Sequence, residues 1–237
     1  MTAKIIITGH SNGLGRALAE HYLAQGCGVL GISRSLLAER AGLQQQALNL
    51  SDSAALSGWL AGGAVENFIQ GATEVILINN AGTVAPSAVC GRQNPAEIIM
   101  AVSLNVAAPL LLSNHLLSVR PETLPTKIIH ISSGAGRGAQ SGWSVYGATK
   151  AALDHHARCV KAENHSHLAI ASIAPGIVDT GMQAEIRALP QDDFPSVGQF
   201  VQLKQHNVLS SPAAVAAAIA NMAAAQDFGR TAVMDVR

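Results

Sequence analysis

The sequence is poor in aromatic and charged residues, and its charges cancel. Of its 237 residues, 3% are aromatic and 13% are charged, and 15 basic residues balance 15 acidic ones. Proteins that bind nucleic acids or anionic membranes usually carry a basic excess or a basic patch. The composition favours neither class. We therefore expect a small-molecule partner, no nucleic acid and no membrane.

Cysteine is also scarce, and long apolar runs are missing. Cys27, Cys90 and Cys159 are odd in number and lack the spacing of a metal site, which argues against a disulfide framework. We interpret each of them as a small packing residue. No apolar run approaches the roughly 18–20 residues of a membrane span, and the run at 5–7 is too short for the core of a signal peptide. We expect a cytoplasmic protein.

Apolar residues make up 49% of the chain, enough for a sizeable core, and the length fits one domain over residues 1–237. Short β-branched runs alternate with longer helical patterns, which is typical of parallel strands joined by helices. The predicted fold class is α/β, a single Rossmann-like doubly wound domain with about seven parallel strands and helices on both faces. The predicted strands are 4–8, 28–33, 46–50, 74–79, 127–133, 168–174 and 231–235, and the predicted helices are 14–25, 53–70, 95–118, 145–164 and 212–225.

One segment, 181–211, interrupts this alternation. It contains Pro190 and Pro195 with two acidic residues between them, and its helical pattern is weak. Irregular stretches of this length inside a compact domain are usually functional, often as lids. We predict an irregular segment that covers the substrate.

A glycine-rich loop follows the first predicted strand and opens the first helix. Glycines let the backbone turn sharply and approach a pyrophosphate closely, while the helix N-terminus presents free N–H groups to the phosphate charge. Glycines alone are a weak signal, but a strand–helix junction strengthens it. The predicted dinucleotide contacts in this loop are Gly9, Ser11, Asn12, Gly13, Leu14 and Gly15.

The second predicted strand ends at Ser33-Arg34, where a doubly wound fold reaches the adenosine ribose. A carboxylate at this point would bind the 2′-hydroxyl of NAD, whereas an arginine can pair with the 2′-phosphate of NADP. No acidic residue lies between the end of this strand and Glu39. Arg34 therefore predicts NADP(H); the alternative is a surface arginine that caps a loop.

Tyr146 and Lys150 are four residues apart at the start of a strong helical pattern, which places them on one helix face. A lysine charge beside a phenol favours the phenolate and lowers the pKa of the tyrosine. We predict that Tyr146 performs general acid–base chemistry on a carbonyl or alcohol oxygen. The alternative is a surface tyrosine beside a solvated lysine.

From Thr8 to Thr180 the chain resembles the short-chain dehydrogenase/reductase superfamily. The matching motifs, in family order, are TGxxxGxG at 8–15, NNAG at 79–82, Tyr-x-x-x-Lys at 146–150 and Pro-Gly at 175–176. The resemblance implies an NADP(H)-dependent oxidoreductase that transfers a hydride between its nicotinamide and a carbonyl or alcohol. It also implies a homodimer or homotetramer that pairs through helices 95–118 and 145–164.

The same resemblance implies roles for individual residues. Ser133, which precedes Tyr146 by 13 positions, would bind the substrate oxygen together with Tyr146. Asn105 would hold a water that relays protons to Lys150, and a buried amide in a long helix needs such a partner. The other implied cofactor contacts are Asn49, in place of the usual Asp, and Leu50 at the adenine; Asn80, Ala81 and Gly82 near the adenine ribose; and Pro175, Gly176, Val178 and Thr180 at the nicotinamide, where Tyr146 and Lys150 also lie.

Two details resemble the sepiapterin reductase and bacterial benzil reductase group, whose members reduce carbonyls, often vicinal dicarbonyls, with NADPH. They are Gly142-Trp143 before the tyrosine and the Asp-Thr-x-Met-Gln run at 179–183. Asp235 occupies the place of an aspartate that anchors the pterin in sepiapterin reductase; a surface aspartate is the alternative. The residues expected to contact substrate are Ser133, Trp143, Tyr146, Met182 and Asp235.

Two other functions compete with this interpretation. An NADP(H)-binding regulatory protein with vestigial catalysis would keep the cofactor motifs, although all four expected catalytic positions are filled. Metal-dependent hydrolysis is suggested by nine histidines, which include His155, His156, His165 and His167. Adjacent histidines on a helix point to different faces, and no nearby carboxylate completes a site. We therefore expect no metal.

Overall fold

The computed structural model describes residues 2–236. Seven parallel strands form one sheet in the order β3-β2-β1-β4-β5-β6-β7. The strand order reverses between β1 and β4, and ligands of such sheets bind at this reversal, beyond the carboxyl ends of the strands. The strands are β1 Lys4–Thr8, β2 Gly28–Ser33, β3 Leu43–Ala47, β4 Val75–Asn79, β5 Thr126–Ile131, β6 Leu168–Ala174 and β7 Val233–Asp235.

Helices cover both faces of the sheet, as the sequence predicts. The helices are α1 Gly13–Ala24, α2 Ser53–Ala61, α3 Ala64–Ile69, α4 Pro95–Val102, α5 Ala108–Val119, α6 Ser144–Ala162, α7 Gly181–Arg187, α8 Val197–Gln205 and α9 Pro212–Ala224. A π-helical turn, Ser103–Ala107, joins α4 to α5, so that Pro95–Val119 is one continuous 25-residue helix. This architecture is the predicted Rossmann-like sheet.

Alternate residues of the strands bury opposite faces, which produces two cores. Ile5 and Ile7 of β1 point to the core that α1 and α9 cover. Ile6 points to the other core, which α2, α3, α5 and α6 cover. Because both faces are buried, the inner strands are apolar throughout rather than alternating.

The third strand and the second helix differ from the prediction. The strand lies at 43–47 rather than 46–50, and it reads Leu-Gln-Gln-Gln-Ala. As the edge strand of the sheet, β3 is only half-buried and can therefore be polar. A polar sequence lacks the apolar pattern by which the other strands are predicted. The predicted helix 53–70 is two helices, because Gly63 adopts a left-handed conformation with φ 76° between α2 and α3.

The segment 181–211 is more regular than predicted. It contains α7 and α8, and Phe194 between them is completely buried. The helical pattern is weak because each helix is short and few of its residues reach the core. The expectation of an irregular segment is therefore wrong.

The helix Pro95–Val119 corrects the expectation that no segment has the length and composition of a membrane span. Its mean hydropathy over 18 residues is 1.8, although 33% of that window is buried in the protein. A search for continuous apolar runs misses this helix, because polar residues interrupt its apolar sequence although its mean hydropathy is high. Ala108, Leu112 and Leu116 contribute one face of the helix to the core. Ile99 and Val102 on α4 are exposed.

Candidate active site

The glycine loop between β1 and α1 leaves little room for a side chain at its three glycines. Gly9 and Gly13 have φ values of 70° and 52°, a conformation that favours glycine. A Cβ on Gly15 would lie 2.2 Å from the carbonyl oxygen of Gly9 and 2.4 Å from the Asn80 amide nitrogen. Asn12 caps α1 without a side-chain hydrogen bond, so the first N–H groups of the helix are free to bind an anion. The loop fits a dinucleotide pyrophosphate.

The segment after β4 lies against this loop and connects it to the catalytic candidates. Thr8 Oγ1 accepts hydrogen bonds from the backbone N–H groups of Asn80 and Ala81, each at 2.9 Å. A Cβ on Gly82 would approach Asn105 Oδ1 to 3.2 Å and Lys150 Nζ to 3.5 Å. The backbone at Gly82 therefore lies between the glycine loop and the catalytic candidates Asn105 and Lys150.

Asn105 is completely buried in the π-helical turn. Its Oδ1 accepts from Thr83 N at 2.9 Å, and its Nδ2 donates to Thr83 O at 2.8 Å and to Thr149 Oγ1 at 3.1 Å. Thr149 precedes Lys150 on α6, so this amide links the loop after β4 to that helix. π-turns inside α-helices often mark functional sites.

Ser133, Tyr146 and Lys150 come together where β5 ends and α6 begins. Lys150 Nζ donates to Ile131 O at 2.8 Å and lies 5.7 Å from the centre of the Tyr146 ring. Ser133 lies two residues beyond β5, and its hydroxyl accepts from Ala135 N at 3.2 Å. This arrangement can present a hydroxyl, a phenol and an ammonium group to a single ligand.

Burial is the largest cause of the pKa shifts of Tyr146 and Lys150. It raises the pKa of the Tyr146 phenol above its ordinary value, and the nearby Ser133 hydroxyl lowers this pKa only in part. It also lowers the pKa of Lys150 to about 8, partly offset by the Asp154 carboxylate. The expected lowering of the Tyr146 pKa is therefore wrong for this structure, because loss of hydration raises that pKa.

An aromatic cluster covers the other side of Tyr146. Trp143 stacks on Phe194 with 4.6 Å between ring centres and contacts the edge of Tyr146 at 5.2 Å. Phe200 of α8 also meets Trp143, at 5.3 Å. The aromatic cluster consists of Val84, Trp143, Tyr146, Ile186, Phe194 and Phe200, with Met182, Leu189 and Val197 packed against it. The segment 181–211 therefore packs on Trp143, which in turn contacts Tyr146.

The chain matches the family model described as short chain dehydrogenase over residues 3–191. The chain belongs to the short-chain dehydrogenase family. It is 34% identical over 256 aligned positions to "Benzil reductase ((S)-benzoin forming)" of Bacillus cereus, covering 98% of each chain. It is also 34% identical to "Sepiapterin reductase" of Meriones unguiculatus, covering 80% of this chain and 79% of the relative.

A solved structure has the same fold. The crystal structure of a short-chain dehydrogenase/reductase from Burkholderia vietnamiensis aligns with a TM-score of 0.72 and 45% identity, over 83% of this chain and 94% of that one. This short-chain dehydrogenase is thus an oxidoreductase that acts on carbonyl or alcohol groups, and its family uses nicotinamide cofactors.

At the predicted adenosine end of the site, Arg34 is exposed directly after β2. Ser33 beside it donates to Ser35 O at 2.6 Å and lies 3.1 Å from His10 Nδ1. The buried His10 ring also meets Gln45 Oε1 at 2.7 Å. Sequence reasoning missed His10 and Gln45, because nothing in the sequence places the third strand beside the glycine loop.

The remaining predicted cofactor residues lie near the same edge. Leu50 is buried, whereas Asn49 lies in the turn beyond β3 and accepts from Ser51. Gly176 has a φ of 77°, directly after β6 and Pro175. Thr180 lies against the glycine loop, since a Cβ on Gly13 would be 3.1 Å from its methyl group. Val178 is buried and forms a bridge with Ser210.

Asp235 lies at the end of β7, away from the aromatic cluster. Its carboxylate is 2.6 Å from Arg137 Nη1, and just over half of its side chain is exposed. Arg137 also binds the buried Asp154. Sequence reasoning missed Arg137 and Asp154; the one signal for Asp154 is its spacing of four residues from Lys150.

The histidines do not assemble a metal site in the part of the chain that the structure describes, where no three His, Cys, Asp or Glu side chains gather. His156 Nδ1 lies 3.0 Å from Nε2 of the buried His130. His165 lies 2.8 Å from Glu163. Cys27, Cys90 and Cys159 are free thiols.

Proposed function

We propose that this dehydrogenase is an NADP(H)-dependent carbonyl reductase in which Tyr146 is the general acid. The observation that carries the proposal is the convergence at Gly82, whose backbone lies against Asn105 and Lys150 and directly follows the segment bonded to the glycine loop. The catalytic set is Asn105, Ser133, Tyr146 and Lys150.

The cofactor would bind along the carboxyl ends of the strands. The free N–H groups at the start of α1 and the glycines at 13 and 15 suit its pyrophosphate. Arg34 suits a 2′-phosphate, and the absence of a carboxylate between the end of β2 and Glu39 disfavours NAD. Lys150 would hold the nicotinamide ribose, and Pro175, Gly176, Val178 and Thr180 the nicotinamide end. When bound, the cofactor supplies the hydride for the carbonyl carbon.

The chain's own side chains control the proton and the developing charge. Because burial raises the pKa of Tyr146, its phenol keeps its proton at neutral pH and can donate it to the substrate oxygen. The Ser133 hydroxyl donates to the same oxygen, and a positioned donor of this kind is worth about 2.7–4 kcal/mol in the transition state. The Lys150 ammonium favours the phenolate that forms as the proton leaves.

The substrate side supports an apolar, aromatic carbonyl compound. Trp143 belongs to the aromatic cluster around Tyr146, and Met182 packs against it. Pockets that bind small organic molecules are lined mostly by apolar and aromatic side chains. Relatives named for benzil and sepiapterin reduction favour a vicinal dicarbonyl. Segment 181–211 would act as the lid. Asp235 lies away from the aromatic cluster and pairs with Arg137, which favours the alternative of a surface aspartate over a substrate contact.

The exposed apolar side chains of the helix Pro95–Val119 fit an assembly of identical subunits. Ile99 and Val102 are 69% and 45% exposed, in a helix whose other face is part of the core. Burying them against a second copy would remove this apolar surface from water. We propose a cytoplasmic homodimer or homotetramer of single-domain subunits, and a monomeric mass by light scattering would disprove the assembly.

The decisive experiment measures NADPH oxidation with benzil, sepiapterin, diacetyl, an aromatic aldehyde and a simple ketone. We expect the vicinal dicarbonyls to be reduced selectively. Tyr146→Phe should lose about 100-fold or more of kcat, the scale of general acid catalysis, while NADPH fluorescence titration shows unchanged binding. Tyr22→Phe is the matched control, because the buried Tyr22 hydroxyl has no hydrogen-bond partner among residues 2–236.

A Tyr146→Phe variant with near-normal turnover would refute the assignment. NADPH binding without turnover on any carbonyl would instead favour the regulatory function.

For the cofactor, Arg34→Ala should raise KM for NADPH about tenfold or more and leave KM for NADH unchanged. Arg40→Ala, an exposed arginine between β2 and β3, is the control. Equal kcat/KM for NADPH and NADH in the unmodified protein would disprove the NADP(H) preference.

A further inference from the structure

A buried carboxylate continues the row of catalytic side chains on α6. Tyr146, Lys150 and Asp154 follow one another at intervals of four residues, which places them along one face of the helix. The Asp154 side chain is 2% exposed. Burying a carboxylate is costly unless it is paired and hydrogen-bonded, so its partners need an explanation.

Two chain segments supply those partners, and one of the partners also binds a third segment. Arg137 Nε donates to Asp154 Oδ2 at 3.0 Å, and Ser172 of β6 donates to Oδ1 at 2.7 Å. The same guanidinium reaches the C-terminal strand, donating to Asp235 Oδ2 at 2.6 Å and to Met234 O at 3.0 Å. Arg137 directly follows the short helical turn that Ser133 begins. One arginine therefore connects the Ser133 turn, α6 and β7.

The charges around Lys150 give Asp154 a special place. On β5, burial and the neighbouring His156 and Lys150 lower the pKa of His130 to about 3, so this ring is neutral. On α6, burial raises the pKa of Tyr146, so this phenol is also neutral. The hydrogen-bond acceptor of Lys150 Nζ is the carbonyl oxygen of Ile131, which carries no net charge. Asp154, one helical turn beyond Lys150 on α6 and paired with the Arg137 cation, is a carboxylate whose charge favours the protonated form of Lys150.

We propose that Asp154 is a positioning residue that keeps Lys150 protonated, and that Arg137 holds this carboxylate ionised while it fixes the turn after Ser133. The inference rests on the proposed function, since it concerns the charge state of Lys150 during carbonyl reduction. A merely structural Asp154 would anchor α6 to β6 without influencing the protonation of its neighbour.

The test is the pH profile of kcat for NADPH-dependent benzil reduction. In the unmodified protein, reduction should fall as the pH rises through about 8, the pKa of Lys150. Asp154→Asn removes the negative charge, which destabilises the ammonium and lowers that pKa further. The alkaline limb should therefore move to lower pH, by on the order of one unit.

Two controls separate charge from packing. Ser172→Ala removes a hydrogen bond from Asp154 but keeps its charge, so Tm should fall while the alkaline limb stays in place. Glu163→Gln removes one negative charge from the exposed end of α6 and should leave both unchanged. If Asp154→Asn does not fold, the double variant Arg137→Gln/Asp154→Asn, whose two amides can bond each other, should show the same direction of shift.

An unmoved alkaline limb in a folded Asp154→Asn or double variant would overturn the inference, as would an equal shift in Ser172→Ala. These outcomes differ from a failure of the proposed function. That failure appears as a catalytically competent Tyr146→Phe variant, whatever the profile of the Asp154 variant.

Discussion

The glycine loop and the aromatic cluster flank the same candidate site, yet they are built in opposite ways. The glycine loop is backbone packed against backbone, and a single methyl group on Gly15 would lie 2.2 Å from Gly9 O. The aromatic cluster is side chain packed on side chain, with Trp143, Phe194 and Phe200 drawn from separate segments. The loop has no room for an added methyl group at Gly15, whereas the cluster depends on the volume that its rings fill.

This difference matters for function. A backbone that binds phosphate needs no particular side chain. The loop can therefore bind the same cofactor whichever substrate a member of the family uses. The cluster surrounds Tyr146 with rings whose size and shape set which carbonyl compound can enter. Changes in the loop should therefore affect cofactor binding, and changes in the cluster should affect substrate selection.

Of the three changes that compare the cluster with the loop, Phe194→Ala in the cluster should cost the most unfolding free energy. Phe194 is completely buried and stacked on Trp143, so removing its ring should cost about 3–5 kcal/mol of unfolding free energy. We also expect a higher KM for benzil with an unchanged Kd for NADPH. Phe68→Ala, at a buried phenylalanine in the core under α3, should lose similar stability without changing KM. Equal KM values in the two variants would remove the distinction between the cluster and an ordinary core.

A smaller loss is expected from Gly15→Ala in the loop. The added Cβ must displace Gly9 O or Asn80 Nδ2, and overpacking of this kind costs about 1–3 kcal/mol. NADPH binding, measured by fluorescence titration, should weaken about tenfold or more. Gly58→Ala is the control, because a Cβ at Gly58 meets open space. Normal NADPH affinity in Gly15→Ala would show that the close backbone packing is not required.

The smallest effect is expected at the rim of the cluster. Arg92 Nη2 lies 2.9 Å from Asp193 Oδ1 and joins the loop after β4 to the segment before α8, but 55% of the arginine side chain is exposed. Exposed pairs contribute about 0.2–1 kcal/mol. Asp193→Asn should therefore change KM for benzil by about fivefold or less, and raising the salt concentration should reduce the difference. A much larger change would make this pair part of substrate selection.

The sequence predicted the inner sheet well and its periphery poorly, for one physical reason. Inner strands such as β4 are buried on both faces and must be apolar, so composition reveals them. The edge strand β3 is half-exposed and reads Leu-Gln-Gln-Gln-Ala, which composition does not reveal. Likewise, Gly63 divides α2 from α3 by its φ of 76°, a conformation that glycine permits but does not require.

Electrostatics shows the same limit. The four-residue spacing of Tyr146 and Lys150 correctly puts them on one helix face, and from that spacing alone a lowered pKa for Tyr146 follows. Burial reverses this direction and raises that pKa. Burial is a property of everything packed around the phenol, including Trp143 and the segment 181–211, so no local pattern contains it.

The sequence by itself determined the α/β class, the place of the glycine loop and the spacing of the motifs, because these depend on local backbone conformation and periodicity. Only the tertiary structure decided which distant side chains meet: Phe194 with Trp143, and Arg137 with Asp154 and Asp235. Such pairs join residues as far as 98 positions apart. Their energies come from burial and charge in three dimensions, which arise only when the sheet and its helices have packed together.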